Sequence, residues 1–139
     1  MTVLDASIVV GGLLDPTSPV FRDLVQDRVA RMSTINVAEV IDVLIRKHGS
    51  NEQDVIDGID LLIQAGLSIE PLSARQTLAA GALRSRYFDR RTRSVSMADC
   101  VAVTLAAEAG EPVVSSDRAL LAMASAEGIA VVEIAPFGS

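Results

Sequence analysis

Short β-branched runs alternate with longer helical stretches along the whole chain, and this alternation limits the fold more than any other feature. Val3-Leu4 starts the chain as a strand, which Asp5 ends. Residues 31–35, 67–71, 112–115 and 129–134 read as four more strands. Pro16 and Pro19 break the chain after the first strand. Ser18-Pro19 is a helix start, a capping hydroxyl with proline at the first helical position, and predicts a helix over 19–29. Further helices are expected over 36–48, 52–65, 74–88, 96–109 and 119–127, with Gly49, Gly66 and Gly110 as stops. This order predicts a three-layer α/β/α sandwich with a five-stranded parallel sheet. At 139 residues, without repeat, linker or low-complexity tract, residues 1–139 are expected to form one domain.

Composition excludes several functions. The longest charge-free stretches, 6–14 and 61–69, run nine residues, whereas a membrane span needs about 18–20 apolar residues. No basic segment leads into an apolar one near Asp5, so a cytoplasmic chain without a membrane partner is expected. A single cysteine, Cys100, excludes an internal disulfide and a thiolate zinc cluster. A single histidine, His48, excludes His-rich metal sites and reads as a cation at a helix C-terminus. Cys100 reads as a small buried apolar residue. Aromatic residues make up 3% of the chain, with no Trp, which argues against a base-stacking surface.

Four acids occupy telling places. In an open parallel sheet, ligands bind at the carboxyl ends of the strands. Asp5 ends the first strand, and Glu39 lies in the first turn of the helix after the second. Asp99 lies in the first turn of the helix before the fourth strand, and Asp117 follows that strand by two residues. Each has a purely structural reading. Asp5 suits an Asx turn, Asn36 and Glu39 suit a capping box, as do Ser96 and Asp99, and Asp117 suits an N-cap. Together, four acids at one end of a sheet repel one another unless a cation lies between them. Carboxylates suit Mg²⁺ or Mn²⁺, hard ions that prefer oxygen.

The sequence resembles the PIN domains, and among them the VapC-type toxin nucleases of bacterial toxin–antitoxin pairs. The resemblance spans the chain and rests on four motifs: Val3-Leu4-Asp5-Ala6-Ser7, Asn36-Val37-Ala38-Glu39-Val40, Ser96-Met97-Ala98-Asp99-Cys100 with the small apolar helix after it, and Val113-Val114-Ser115-Ser116-Asp117. It implies that Asp5, Glu39, Asp99 and Asp117 are the catalytic acids and hold Mg²⁺ or Mn²⁺. It also implies that Ser7 and Ser115 orient the carboxylates. Asn36 stands where relatives often have Thr or Ser, and Ser115-Ser116-Asp117 where they often have Thr-x-Asp; both keep a hydrogen-bonding group. The implied activity is metal-dependent hydrolysis of RNA phosphodiester bonds by a toxin. The implied partners are an RNA substrate, a VapB-type antitoxin and a second copy in a homodimer. The helices over 19–29 and 52–65 carry enough apolar surface to receive the antitoxin. The alternative is a non-catalytic PIN-like module that binds RNA or protein, but such a module would usually have lost one of the acids.

The net charge of −6 fits this reading. Setting the four acids aside leaves 14 acids against 12 bases. Arg84, Arg86, Arg90, Arg91 and Arg93 fall within ten residues, opposed only by Asp89, and lead into the helix of Asp99. They suit RNA phosphates, and equally a solvated helix end and loop. Tyr87 and Phe88 read as core. Rival α/β enzymes lack their residues. Lys47 is misplaced for a phospho-receiver, Ser7 replaces the second Asp of a haloacid-type phosphatase, and Gly11-Gly12 is no phosphate loop.

Overall fold

Five short strands pair in parallel in the order β3-β2-β1-β4-β5: β1 (Thr2–Leu4), β2 (Ala30–Ser33), β3 (Ser68–Glu70), β4 (Val113–Ser115) and β5 (Val131–Glu133). They belong to a computed structural model that describes residues 1–27, 29–92 and 94–136. The chain steps outward from β1 to β2 to β3, then returns past β1 to β4 and β5. The order therefore reverses at β1, and the carboxyl ends of β1 and β4 form the switch point at which such sheets bind ligands. The register pairs Leu4 with Val114, and the Asp5 amide donates to the Val114 carbonyl at 3.0 Å. Asp5 thus leaves β1 beside Ser115.

Successive strand residues face opposite sides, which divides the core in two. Leu4 and Met32 pack with Ile8, Val40, Leu44 and Ile59. These come from α1 (Ala6–Leu14), α3 (Thr34–Arg46) and α4 (Glu52–Ala65). Val3 and Val113 pack on the other side with Leu83, Val101, Leu120 and Met123, from α5 (Ala74–Tyr87), α6 (Met97–Ala109) and α7 (Arg118–Ala126). The sandwich and its parallel sheet are as the sequence predicts. Residues 99–106 of α6 are all buried, as expected of a helix without a polar face. Gly66 and Gly110 stop α4 and α6 at φ 122° and 65°. No helix among the described residues is long and apolar enough to cross a membrane.

Three elements differ from the sequence reading. Helix α1 has no counterpart there, because Ile8, Val9, Val10, Gly11 and Gly12 are weak helix formers and give no amphipathic period. It forms because Asp5 caps it and because Ile8 and Val9 are buried against the sheet; packing overrides propensity. The expected helix over 19–29 is short: α2 (Pro19–Arg22) passes into a π-helical turn, Asp23–Asp27. Arg28 lies outside the described residues, and Val29 is not helical. Strand β2 ends at Ser33 rather than at Ile35, because the Ser33 hydroxyl caps α3.

Gly12 lets α2 approach α1. A Cβ there would lie 2.2 Å from the Phe21 ring. We expect Gly12→Ala to destabilise the fold by about 1–3 kcal/mol through overpacking. Gly81→Ala, on α5 with open space around it, should stabilise by about 0.5–1 kcal/mol. Urea melts of the two variants check this, and equal midpoints would refute the close approach at Gly12.

Candidate active site

Asp5 is 2% exposed, and its carboxylate is held by two hydroxyls. Ser7 Oγ and Ser115 Oγ each donate to Oδ2 at 2.8 Å. Each hydroxyl also accepts a backbone N–H: Ser7 from Ser116 at 3.2 Å, Ser115 from Asp117 at 2.9 Å. Asp5 is thereby tied to the turn that carries Asp117. Burial raises the proton affinity of Asp5, and the hydroxyl bonds oppose that rise.

Asp117 Oδ1 accepts from the amides of Ala119 and Leu120, at 2.9 and 3.3 Å, and so caps α7. Asp99 forms the expected capping box: its Oδ2 accepts from the Ser96 amide at 2.8 Å, and its own amide donates to Ser96 Oγ at 3.0 Å. Burial raises Asp99 to about 6 against the backbone bond, and the charges of Asp5 and Asp117 add to the rise.

The expected box between Asn36 and Glu39 is absent. Ser33 is the cap of α3, and Asn36 is the residue whose amide it accepts. Glu39 lies a turn further on, freed from any capping duty. Its Oε2 is buried and has no hydrogen-bond partner among the described residues, an arrangement that calls for an explanation. Its pKa is raised to about 7 by burial first, then by the charges of Asp5, Asp99, Asp117 and Asp42. The structure thus brings all four sequence-predicted acids into one electrostatic field. Three of them also take part in helix caps, so their structural readings hold. Among the described residues, no three His, Cys, Asp or Glu side chains are gathered tightly enough to hold an ion as placed. The acids share a field without meeting at one point.

The arginines divide. Arg84 donates from Nε to the Val95 carbonyl at 3.2 Å and lies 4.4 Å over the Phe88 ring. Arg86 pairs with Glu127 at 3.0 Å, and Tyr87 donates to the same carboxylate at 2.6 Å. Both arginines are engaged in structural contacts. Arg90 and Arg91 are exposed on a turn where Asp89 accepts from the amides of Arg91 and Thr92. Arg93 lies outside the described residues. Phe88 is 44% exposed, so it serves as a platform for Arg84 rather than as core. His48 is exposed just past α3. Cys100 is fully buried with its Sγ 3.8 Å from Met123 Sδ, and burial pushes its thiol up to about 11.

A parallel sheet that reverses at β1, with acids placed around that reversal, defines an α/β protein with an acidic carboxyl end. The PIN domain family matches residues 2–126, and the chain belongs to that family. No curated protein matches the sequence significantly. Solved structures share the fold. The VapC20 sarcin-ricin-loop-cleaving toxin of Mycobacterium tuberculosis is 17% identical, with a TM-score of 0.71 over 98% of this chain and 100% of its own. VapBC2 of Rickettsia felis, solved on a promoter DNA fragment, is 15% identical, with a TM-score of 0.70 over 95% of this chain and 97% of its own. FitAcB of Neisseria gonorrhoeae is 20% identical, with a TM-score of 0.62 over 96% and 97%.

The raised proton affinities fix how the stability of the ion-free protein depends on pH. Glu39 and Asp99 bind protons more tightly folded, near 7 and 6, than at their ordinary values of 4.5 and 3.8. The folded state is therefore favoured at low pH and loses stability as pH rises from about 4 to about 7. In chelator, we expect the melting temperature to fall across that window. Glu39→Gln should melt above wild type at pH 7.5 and show a shallower fall. A flat profile for wild type would mean that burial and the neighbouring charges do not raise the proton affinities of these acids.

Proposed function

We propose that this chain is a metal-dependent endoribonuclease, the toxin of a toxin–antitoxin pair, working as one domain over residues 1–139 in the cytoplasm. The observation that carries the reading is Glu39: a buried carboxylate oxygen without a partner among the described residues, in the field of three other acids. Such a group is relieved by a cation, and an all-oxygen donor set suits Mg²⁺ or Mn²⁺. Asp5, Glu39, Asp99 and Asp117 would hold the ion. Bound there, a divalent ion lowers the pKa of a water molecule and offsets charge on phosphate oxygens. Ser7 and Ser115 fix the direction of the Asp5 carboxylate. Ser96 does the same for Asp99. Arg90 and Arg91, exposed on their turn, would bind RNA phosphates, and Arg93 is proposed with them from its place in the sequence alone. Arg84 and Arg86 support the segment that presents them.

An apolar groove of about 510 Å³ lies between α1, α2 and α4, lined by Leu13, Leu14, Phe21, Val25, Val55 and Leu62 among others. It supports docking of an antitoxin segment. Helix α4 bears Glu52, Asp54, Asp57 and Asp60 without a base, so an apolar segment flanked by basic residues is complementary. A homodimer completes the proposed assembly.

The test is incubation of the purified chain with a broad RNA panel, in Mg²⁺ or Mn²⁺ and in EDTA. We expect metal-dependent cuts that fall at least about 100-fold in Asp5→Ala and in Glu39→Gln, the several kcal/mol that a bound metal supplies. Cuts that survive EDTA or Asp5→Ala would sink the enzyme reading. RNA binding without any cut would favour the non-catalytic module.

The arginines give a separate prediction. Neutralising Arg90 and Arg91 should flatten the salt dependence of RNA binding, by roughly 0.7 in log–log slope for each single-strand phosphate that the variant no longer neutralises. Arg86→Gln, tied to Glu127 in wild type, should leave the slope unchanged. Equal slopes in all three proteins would return the exposed arginines to a solvated loop.

A further inference from the structure

Asn36 has no exposed surface, and it sits one turn before Glu39 on α3. Its backbone N–H donates to Ser33 Oγ at 3.0 Å, and the Ser33 hydroxyl donates back to Asn36 Oδ1. That exchange makes Oδ1 the acceptor and turns Nδ2 outward from α3. Nδ2 then donates to the backbone carbonyl of Ala98 at 3.0 Å. Ala98 immediately precedes Asp99 in the first turn of α6. A carbonyl oxygen has a second lone pair, so this bond is compatible with the helix bond of the same group.

We propose that Asn36 is a positioning residue: it ties the start of α3 to the start of α6 and so sets the spacing between Glu39 and Asp99. The role rests on the metal-site reading given above. Repulsion between the two carboxylates works to part α3 from α6, which pack against each other. The Asn36–Ala98 bond opposes that parting close to both acids along their helices. An amide places its acceptor and its donor on two separate atoms. Ser33 and Ala98 are thereby engaged at once. A Thr hydroxyl offers both functions on one oxygen and has a shorter reach, so it would satisfy Ser33 without spanning to Ala98.

The experiment measures Mn²⁺ affinity of the full chain by calorimetry, at a temperature where circular dichroism shows each variant folded. The proteins are wild type, Asn36→Ala, Asn36→Thr and Val40→Ala. Val40 is fully buried on the same helix and serves as a control for general destabilisation. Partners that orient a metal ligand typically contribute about 10- to 100-fold in affinity. Both Asn36 variants should therefore bind Mn²⁺ at least about tenfold more weakly, while Val40→Ala binds close to wild type. RNA cleavage by the Asn36 variants should need correspondingly more Mn²⁺ to reach half its maximum. Wild-type affinity in a folded Asn36→Thr would overturn the positioning role, as would an equal loss in Val40→Ala. If neither Asn36 variant folds, Ser33→Ala carries the test. It frees Oδ1 and should weaken Mn²⁺ several-fold, and wild-type affinity there would overturn the role. Should wild type itself bind no Mn²⁺, the metal-site reading fails and the positioning role fails with it.

Discussion

Burial of carboxylates, with the charges of neighbouring acids added to it, is the constraint around which the carboxyl end of this sheet is built. Asp5 is nearly inaccessible to water, and Glu39 and Asp99 both hold their protons well above the ordinary carboxylate range. Charges so placed are unfavourable unless each has local compensation. The fold supplies it at helix starts. Asp5, Asp99 and Asp117 each accept from backbone amides at the first turn of α1, α6 or α7, where the helix dipole also favours a negative group. Glu39 has no such place. It lies beyond the first turn of α3, keeps one buried oxygen without a partner among the described residues, and holds its proton more tightly than Asp99 does.

Hydroxyls convert this set of caps into a connected site. Ser7 and Ser115 stand between Asp5 and the turn after β4, donating to the acid and accepting from the turn. The link crosses from β1 to β4, neighbours in the sheet but more than a hundred residues apart in sequence. Asn36 makes the corresponding link between α3 and α6. Two crossings thus connect the elements that carry all four acids. Residues that make the crossings touch both a helix start and its neighbour.

Much of this was legible in the sequence because it depends on local spacing. Ser96 and Asp99 are three residues apart, and a capping box needs no more than that. Asp117 caps α7 for the same reason. Where two local solutions overlap, spacing does not choose between them. Ser33-x-x-Asn36 and Asn36-x-x-Glu39 both have the interval of a helix start, and only the end of β2 at Ser33 decides for the first. That decision removes Glu39 from its cap and leaves its carboxylate in the field of the other acids. Arginine clustering has the same ambiguity: five lie close in sequence, but Glu127 and the Val95 carbonyl, from other parts of the fold, take up Arg86 and Arg84.

The sequence by itself determined the alternation of strands and helices and the sandwich class, because these follow from periodicity and from intervals of a few residues, and it singled out four acids by their places at strand ends and helix starts. Tertiary structure decided the rest. It made 6–14 a helix against the propensity of Val9, Val10, Gly11 and Gly12, since burial of Ile8 and Val9 outweighs weak local preference. It ordered the strands so that β1 and β4 lie side by side, and so placed Asp5 among the hydroxyls of Ser7 and Ser115. It also raised the proton affinity of Glu39, since burial and the fields of distant acids exist only once the chain is folded.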